Sequence, residues 1–148
     1  MNNVRKIVSD AGIKLPNKIP LEISHHYGIE KFDNYGMCIF TLINRTYCKK
    51  LLICFAGQKH PEQYHEKKEE TFRLLYGDAS VILDGKVSSL SPGDIITVEK
   101  EVRHEFSSKS GSIIEEISDT HHKDDSYYTD ESINQSMNRK THVTFFSN

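Results

Sequence analysis

The first apolar residues of the chain follow a helical spacing. Apolar side chains stand at positions 4, 7, 8 and 11, which is the i, i+3, i+4, i+7 pattern of an amphipathic helix. The pattern predicts one short helix over residues 2–11. We expect Asn2 or Asn3 to cap its start and Gly12 to end it.

After this segment the pattern changes to short apolar runs separated by turn residues. The predicted strands cover residues 21–26, 37–43, 51–55, 71–75, 79–83, 86–89, 95–98, 105–107 and 112–118. Asp84-Gly85 stands between two of them and predicts a two-residue hairpin. Many short strands at regular spacing are typical of an all-β barrel or jelly roll.

The last part of the chain is more polar. Residues 123–140 have few apolar side chains and predict a loop or short helix over the barrel, and residues 141–146 predict a further strand at a sheet edge. A length of 148 residues favours one domain. We divide it into an N-terminal helix and lead-in (1–20), the barrel (21–122), and a polar segment with a terminal strand packed on the barrel (123–148).

Charge, apolar runs and cysteine spacing indicate which partners and which compartment this protein has. The formal net charge of −2 gives no basic field for nucleic acid or for an anionic membrane. No apolar run approaches the ~20 residues that span a bilayer, and the first residues do not have the pattern of a secretory signal. Cys38, Cys48 and Cys54 lack a CxxC spacing, which favours a reducing compartment. We therefore predict a cytoplasmic protein without nucleic-acid or membrane partners.

One polar segment has the residue types of a metal site. Its spacing is Gly57-x5-Gln63-x-His65-x4-Glu70-x6-Gly77. Gln63 and His65 are two residues apart and would share one face of a strand, and Glu70 would return from the neighbouring strand. Amide oxygen, imidazole and carboxylate together suit a borderline divalent ion such as Mn, Fe, Zn or Ni.

A second segment adds another imidazole and leads to a family resemblance. Gly93 and His104 are separated by ten residues, after the turn at Pro92. With the first segment, this spacing resembles the two motifs of the cupin family, whose first motif is Gly-x5-His-x-His-x(3,4)-Glu-x6-Gly. The resemblance implies a single-domain cupin jelly-roll barrel. It implies one divalent metal held by Gln63, His65, Glu70 and His104.

The chain departs from the cupin motifs at several positions. Gln63 replaces the first histidine, and the proline, second glycine and asparagine of the second motif are also replaced. Two interpretations stay open: a metal-binding cupin, or a cupin-shaped barrel that has lost its metal. His60 offers a substitute imidazole, but its Lys-His-Pro context favours a solvated loop.

Longer stretches sharpen the resemblance. Residues 24–28, 44–50, 65–72 and 115–118 look like cupins fused to, or encoded beside, sialic-acid synthase-like enzymes of surface-sugar synthesis. The chain also resembles, more distantly, the D-lyxose isomerase cupins. Lys68 and Glu70 match the lysine and glutamate of their first motif, and Glu116-Ile117-Ser118 matches the strand with their catalytic base. The resemblance implies that Glu116 is the base and Lys68 a cation facing substrate oxygen.

Three further residues are candidates for substrate binding. His121 and Asp125 lie in a charged segment that follows a predicted strand and would reach the barrel mouth. A solvated charged stretch is the competing interpretation of this segment. His26 belongs to the first stretch that resembles the sugar-related cupins.

The resemblance implies an aldose–ketose isomerase linked to surface-sugar biosynthesis. Proton transfer through an enediol needs a carboxylate base and a divalent ion that polarises neighbouring oxygens, with Mn preferred for this ligand set. A non-catalytic sugar-binding module is the alternative, and a metal-dependent dioxygenase is a third class. We also predict a homodimer, because a small sheet-rich barrel has edges that need covering.

Overall fold

A computed structural model describes residues 1–147, which form two antiparallel sheets and three α-helices. The helices are α1 (Asn2–Asp10), α2 (Phe32–Tyr35) and α3 (Glu131–Gln135), with a 3-10 turn at Ile29–Lys31. The strands are β1 (Lys18–His25), β2 (Gly36–Asn44), β3 (Tyr47–Cys54), β4 (Lys59–Tyr64), β5 (Glu70–Gly77), β6 (Ala79–Leu83), β7 (Lys86–Leu90), β8 (Ile95–Val98), β9 (His104–Ser107), β10 (Ser112–Asp119), β11 (Tyr127–Tyr128) and β12 (Lys140–Phe146).

The two sheets differ in size. The larger sheet has the strand order β12-β1-β2-β3-β10-β5-β8, and the smaller has β11-β4-β9-β6-β7. The strands next to the candidate metal ligands belong to different sheets: β4 lies in the smaller sheet and β5 in the larger. Side chains from both sheets therefore face one interior.

Apolar side chains form two separate cores. Between the sheets, Phe72 of β5 packs near Phe106 of β9 at a ring-centroid distance of 5.6 Å. On the outer face of the larger sheet, Val4 and Val8 of α1 pack in a cluster that includes Phe145. Both faces of the larger sheet thus carry apolar core residues, and α1 covers the outer face, which would otherwise meet water.

The structure confirms the predicted fold class and the position of the N-terminal helix, but not its cap. Helix α1 begins at Asn2 and ends at Asp10, with Met1 at the N-cap position and no side-chain cap bond. The prediction that Asn2 or Asn3 caps the helix is wrong. Burial of its apolar face on the sheet supplies the stability that capping does not.

Strand β4 was not predicted. Its sequence, Lys-His-Pro-Glu-Gln-Tyr, contains a proline and no apolar alternation. The strand forms because it pairs with β9 and β11 in the smaller sheet. Its buried positions include His60 and Gln63, so polar side chains occupy interior positions that a strand pattern would fill with apolar ones.

The structure explains why residue 77 is a glycine, which the motif spacing did not reveal. Its φ of +79° lies in the left-handed region. A Cβ at this position would collide with the carbonyl oxygen of Gly111. Glycine is thus required where β5 ends beside the loop before β10.

No helix within residues 1–147 is long and apolar enough to cross a membrane.

Two isoleucines of β10 test how much the outer core contributes to stability. Ile113 is fully buried, and Ile117 of the same strand is 49% exposed. We expect Ile113→Ala to lower the free energy of unfolding by about 2–5 kcal/mol because it leaves a cavity. The matched Ile117→Ala should cost less than about 1 kcal/mol. Urea unfolding of both variants measures the difference, and equal losses would contradict the assigned core.

Candidate active site

Four polar side chains from separate segments meet in the interior between the sheets. Gln63 lies near the end of β4 and is paired in register with His104, the first residue of β9. His65 follows β4, and Glu70 begins β5. We expected Glu70 on a strand next to that of Gln63. Instead β5 belongs to the other sheet, and Glu70 faces the histidines across the barrel interior.

The three strongest ligand candidates lie within one small volume. Glu70 Oε1 is 2.9 Å from His104 Nε2 and 3.4 Å from His65 Nε2. The ligand atoms of these three residues all lie within 4.8 Å of one another. None of the three residues is more than 4% exposed. This spacing suits donors that surround a single ion.

Backbone carbonyls orient both imidazoles. His65 Nδ1 is 2.5 Å from the carbonyl oxygen of Asp125, and His104 Nδ1 is 3.0 Å from that of Val102. A carbonyl oxygen only accepts, so each Nδ1 carries a hydrogen and donates it. In the neutral rings, Nε2 is then the free lone pair and faces Glu70. This arrangement of the outer contacts is the one that metal-binding histidines need.

The buried donor atoms fit a divalent cation. Among the described residues, Gln63 Oε1, His65 Nε2, Glu70 Oε1 and His104 Nε2 are buried and have no hydrogen bond of acceptable geometry. Buried acceptors without a partner are costly, and a shared cation would satisfy all four. Without a cation, a proton on His104 relieves the contact. Burial disfavours that proton, but the carboxylate of Glu70 outweighs it and raises the pKa of His104.

A buried lysine connects the ligand Glu70 to a second carboxylate. Lys68 Nζ lies 2.8 Å from Glu70 Oε2 and 2.9 Å from Glu116 Oε1. Burial opposes the charge on Lys68, but Glu116 and Glu70 together raise its pKa. Burial would likewise raise the pKa of Glu70, yet Lys68 and the two histidines hold it well below its usual range. The two oxygens of Glu70 therefore face different groups: Oε1 faces the two histidines, and Oε2 faces Lys68.

The strand phase of β10 decides between its two adjacent glutamates. Glu116 points into the interior, where it contacts Lys68. Glu115 lies on the opposite face, with Oε1 2.7 Å from Lys49 Nζ. Glu116 is thus the carboxylate that lies beside the candidate metal ligands, while Glu115 belongs to the outer surface of the sheet.

A cavity of about 50 Å³ lies beside this group and holds space for a few water molecules. Most of its lining residues are polar, and they come from both sheets. Polar lining residues are Glu22, Ser24, Lys50, His60, Gln63, His65, Lys68, Glu70, Glu116, His121, Ser126, Tyr128 and Lys140. The candidate ligands Gln63, His65 and Glu70, together with the Lys68–Glu116 pair, thus border the same space.

Within the described chain, the cavity lining includes His121 but neither Asp125 nor His26. Burial, assisted by Lys50 and Lys68, lowers the pKa of His121 to about 3. Its ring is therefore neutral near neutral pH and can donate to or accept from a hydroxyl group. Of the three residues predicted to bind substrate, His121 is the one that the structure places in the cavity.

Asp125 and His26 make other contacts. The carboxylate of Asp125 accepts from the backbone N–H groups of Glu66 and Lys67, at 2.9 and 3.0 Å, and its carbonyl accepts from His65. Asp125 is 1% exposed, so it is not part of a solvated charged stretch. His26 Nδ1 lies 2.8 Å from the carbonyl oxygen of Tyr35. These contacts hold the segments behind the cavity in place.

His60 was expected in a solvated loop, and the structure contradicts this. The residue lies in β4, is 5% exposed, and stacks on Phe106 with the ring planes 11° apart. Burial lowers the pKa of His60 well below its usual range, so the ring is neutral. Its Nδ1 lies 2.8 Å from the carbonyl oxygen of Pro61. If β4 had been recognised as a strand, His60 would have been placed inside the barrel.

Comparisons with known proteins agree with this architecture. A family model described as "Cupin domain" matches residues 53–115, a range that contains all four candidate metal ligands. The fold is a cupin jelly roll. The cupin domain of Cnp3 from Schizosaccharomyces pombe aligns with a TM-score of 0.54 and 12% identity, over 57% of this chain and 65% of that one.

Two sugar isomerases are among the similar proteins. A D-lyxose/D-mannose isomerase of Thermosediminibacter oceani is 28% identical over 128 residues, which cover 67% of this chain and 70% of the relative. The L-ribose isomerase of Cellulomonas parahominis, solved with L-ribose, aligns with a TM-score of 0.76 and 12% identity. That alignment covers 90% of this chain and 91% of the isomerase, so the two share the same overall fold.

Loss of one ligand should empty the predicted metal site. We expect Glu70→Ala and His104→Ala proteins to lose nearly all bound divalent metal after dialysis, because each removes a buried donor that the others cannot replace. The control is His122→Ala, since His122 is exposed and lies outside the cluster. Elemental analysis of the dialysed proteins measures the stoichiometry. Full metal content in either ligand variant would rule out the assigned site.

Proposed function

We propose that this protein is a metal-dependent aldose–ketose isomerase that acts on a small sugar or sugar derivative. One observation carries the proposal: a set of unpartnered buried metal donors and a buried lysine–carboxylate pair border the same polar cavity. The similarity to a D-lyxose/D-mannose isomerase supports it. The resemblance to cupins of surface-sugar synthesis suggests where such a reaction would be used.

The metal is held in this proposal by His65, Glu70 and His104, with Gln63 as a weaker fourth ligand. A divalent ion held there would supply Lewis-acid polarisation of the sugar oxygens next to the carbons that isomerise. Two imidazoles, one carboxylate and an amide oxygen favour Mn, although Fe, Zn or Ni would also fit such donors.

Glu116 is the proposed proton-transfer base. Its carboxylate removes the proton from C2 of the aldose and returns it to C1 of the enediol, while the hydroxyl proton of O2 passes to O1, so that the carbonyl moves from C1 to C2 and the proton count is unchanged. Its side chain is buried and held by Lys68, which keeps the carboxylate in one orientation towards the cavity. A fixed base near the reacting carbons avoids the entropy cost of positioning it.

Lys68 has two proposed tasks. Its ammonium positions the carboxylates of Glu70 and Glu116 relative to each other. It also stabilises the negative charge that develops on the substrate oxygen as the proton leaves. Because its pKa is raised, Lys68 remains charged throughout the neutral pH range.

A non-catalytic sugar-binding module is the second candidate. The observation in its favour is Gln63, an amide in the place where cupins have their first histidine ligand. An amide oxygen binds a divalent ion more weakly than imidazole does, and a weakly held ion would allow binding without turnover. Turnover of a panel of aldoses by the Mn-loaded protein separates the two candidates.

The glutamates of β10 give a matched test of catalysis. We expect Glu116→Gln to lower turnover of the best aldose by about 100- to 10,000-fold, the range that a positioned base contributes. Metal content should be unchanged. Glu115→Gln removes an equal charge on the opposite face of the same strand, and it should keep near-normal turnover. The reverse result, with only Glu115→Gln inactive, would exclude Glu116 as the base.

The route of the proton is a separate prediction. If Glu116 transfers it, deuterium from heavy water should enter the product at the carbon that receives the proton, because the proton held by the carboxyl group exchanges with solvent during the lifetime of the enediol. Proton NMR of the product measures this incorporation. A product without deuterium would indicate a direct hydride shift between C1 and C2, and no glutamate would then act as the base.

A further inference from the structure

Lys50 occupies an interior position that is unusual for a lysine. It lies in β3, two residues from Leu52 and from Cys48, both of which are buried. Residues two apart in a strand share a face, so Lys50 projects into the interior between the sheets. The side chain lines the cavity, and the residue is only 7% exposed.

The ammonium of Lys50 has no protein partner within residues 1–147. No hydrogen bond is made by its Nζ, and no carboxylate oxygen lies within 4.0 Å of it. The other lysines of the cavity are paired: Lys68 with Glu70 and Glu116, and Lys140 with Glu22 at 2.9 Å. A charge in an interior position is unfavourable unless an opposite charge or hydrogen-bond acceptor meets it.

The charge balance of the cavity points to an anion. Three lysines, three glutamates and three histidines line it; His60 and His121 are neutral near neutral pH, and His65 is a proposed metal ligand. A bound divalent metal therefore leaves an excess of positive charge. Part of this excess suits the negative oxygen of the reacting sugar, and the unpaired Lys50 marks a second place where negative charge is favoured.

The position of Lys50 separates it from the reacting end of the substrate. Lys50 is paired in register with Glu116 of β10, and Glu116 is paired with Phe72 of β5, the strand that carries Glu70. Two strand spacings of roughly 4.8 Å therefore lie between the strand of the metal ligand and that of Lys50. A sugar bound to the metal at one end would pass Glu116 before its other end reaches Lys50.

We propose that Lys50 binds an anionic group on the substrate, a carboxylate or phosphate at the end of the sugar opposite to the carbons that isomerise. The identification of the ligand as a sugar rests on the proposed function, whereas the preference for an anion rests on Lys50 itself. The substrate class is then an acidic or phosphorylated sugar rather than a neutral aldose.

The neighbouring lysine provides a matched control. Lys49 lies on the opposite face of the same strand, where its Nζ is 2.7 Å from Glu115 Oε1, and its side chain is 40% exposed. Substitution of either lysine by methionine removes one positive charge from β3. Only the substitution at Lys50 changes the charge inside the cavity.

Calorimetric titration of the Mn-loaded protein with D-mannose, D-mannuronate and D-mannose 6-phosphate tests the proposal. We expect wild type to bind at least one of the two anionic sugars about tenfold or more tightly than D-mannose. Lys50→Met should weaken binding of that anionic sugar by about 10- to 100-fold and leave D-mannose nearly unaffected. Lys50→Arg should retain the preference for the anion, and Lys49→Met should match wild type.

The proposal is overturned if wild type binds neither anionic sugar more tightly than D-mannose, or if Lys50→Met keeps the full preference. Should Lys50→Met fail to fold, Lys50→Arg and Lys50→Gln, checked by thermal unfolding, carry the same comparison. The carboxylate and phosphate arms identify which anionic group is bound. Anion binding that depends on Lys50 but occurs without isomerisation would support this proposal and reject the isomerase function.

Discussion

The arrangement of the site depends on the two ion pairs that Lys68 makes with Glu70 and Glu116. These two glutamates come from different strands, and their carboxylates would repel each other without a cation between them. Because Lys68 contacts only one oxygen of Glu70, the other oxygen remains directed at His65 and His104. One buried cation thus sets the position of a candidate metal ligand and of a candidate base.

The jelly roll makes this arrangement possible by supplying groups from both sheets. Gln63 and His104 come from the smaller sheet, and Glu70 and Glu116 from the larger one. The apolar core between the sheets surrounds these polar groups and keeps bulk water away, which strengthens their electrostatic interactions. Outside the sheets, α1 covers the second apolar face, so the interior can be polar without loss of the main core.

Much of the fold and of the candidate site could be predicted from the sequence. The spacing of apolar residues located α1 and most strands, and the glycine, histidine and glutamate spacings indicated the ligand set. Gln63 and His60 of β4 were harder to place, because a strand of polar residues and proline carries no local signal. For this reason His60 was expected in a solvated loop, although it is stacked on Phe106 inside the barrel.

The sequence by itself determined which residue types are available and where apolar periodicity places them along each strand. Tertiary structure alone decided that Glu70 reaches the histidines from the opposite sheet and that Asp125 supports His65. Glu116, already indicated by the family resemblance, is the glutamate of β10 that faces the cavity. Tertiary structure also decided that Lys50 stays unpaired inside while Lys49 is paired outside. The physical reason is that burial and charge pairing depend on contacts between strands distant in sequence, which local spacing does not encode.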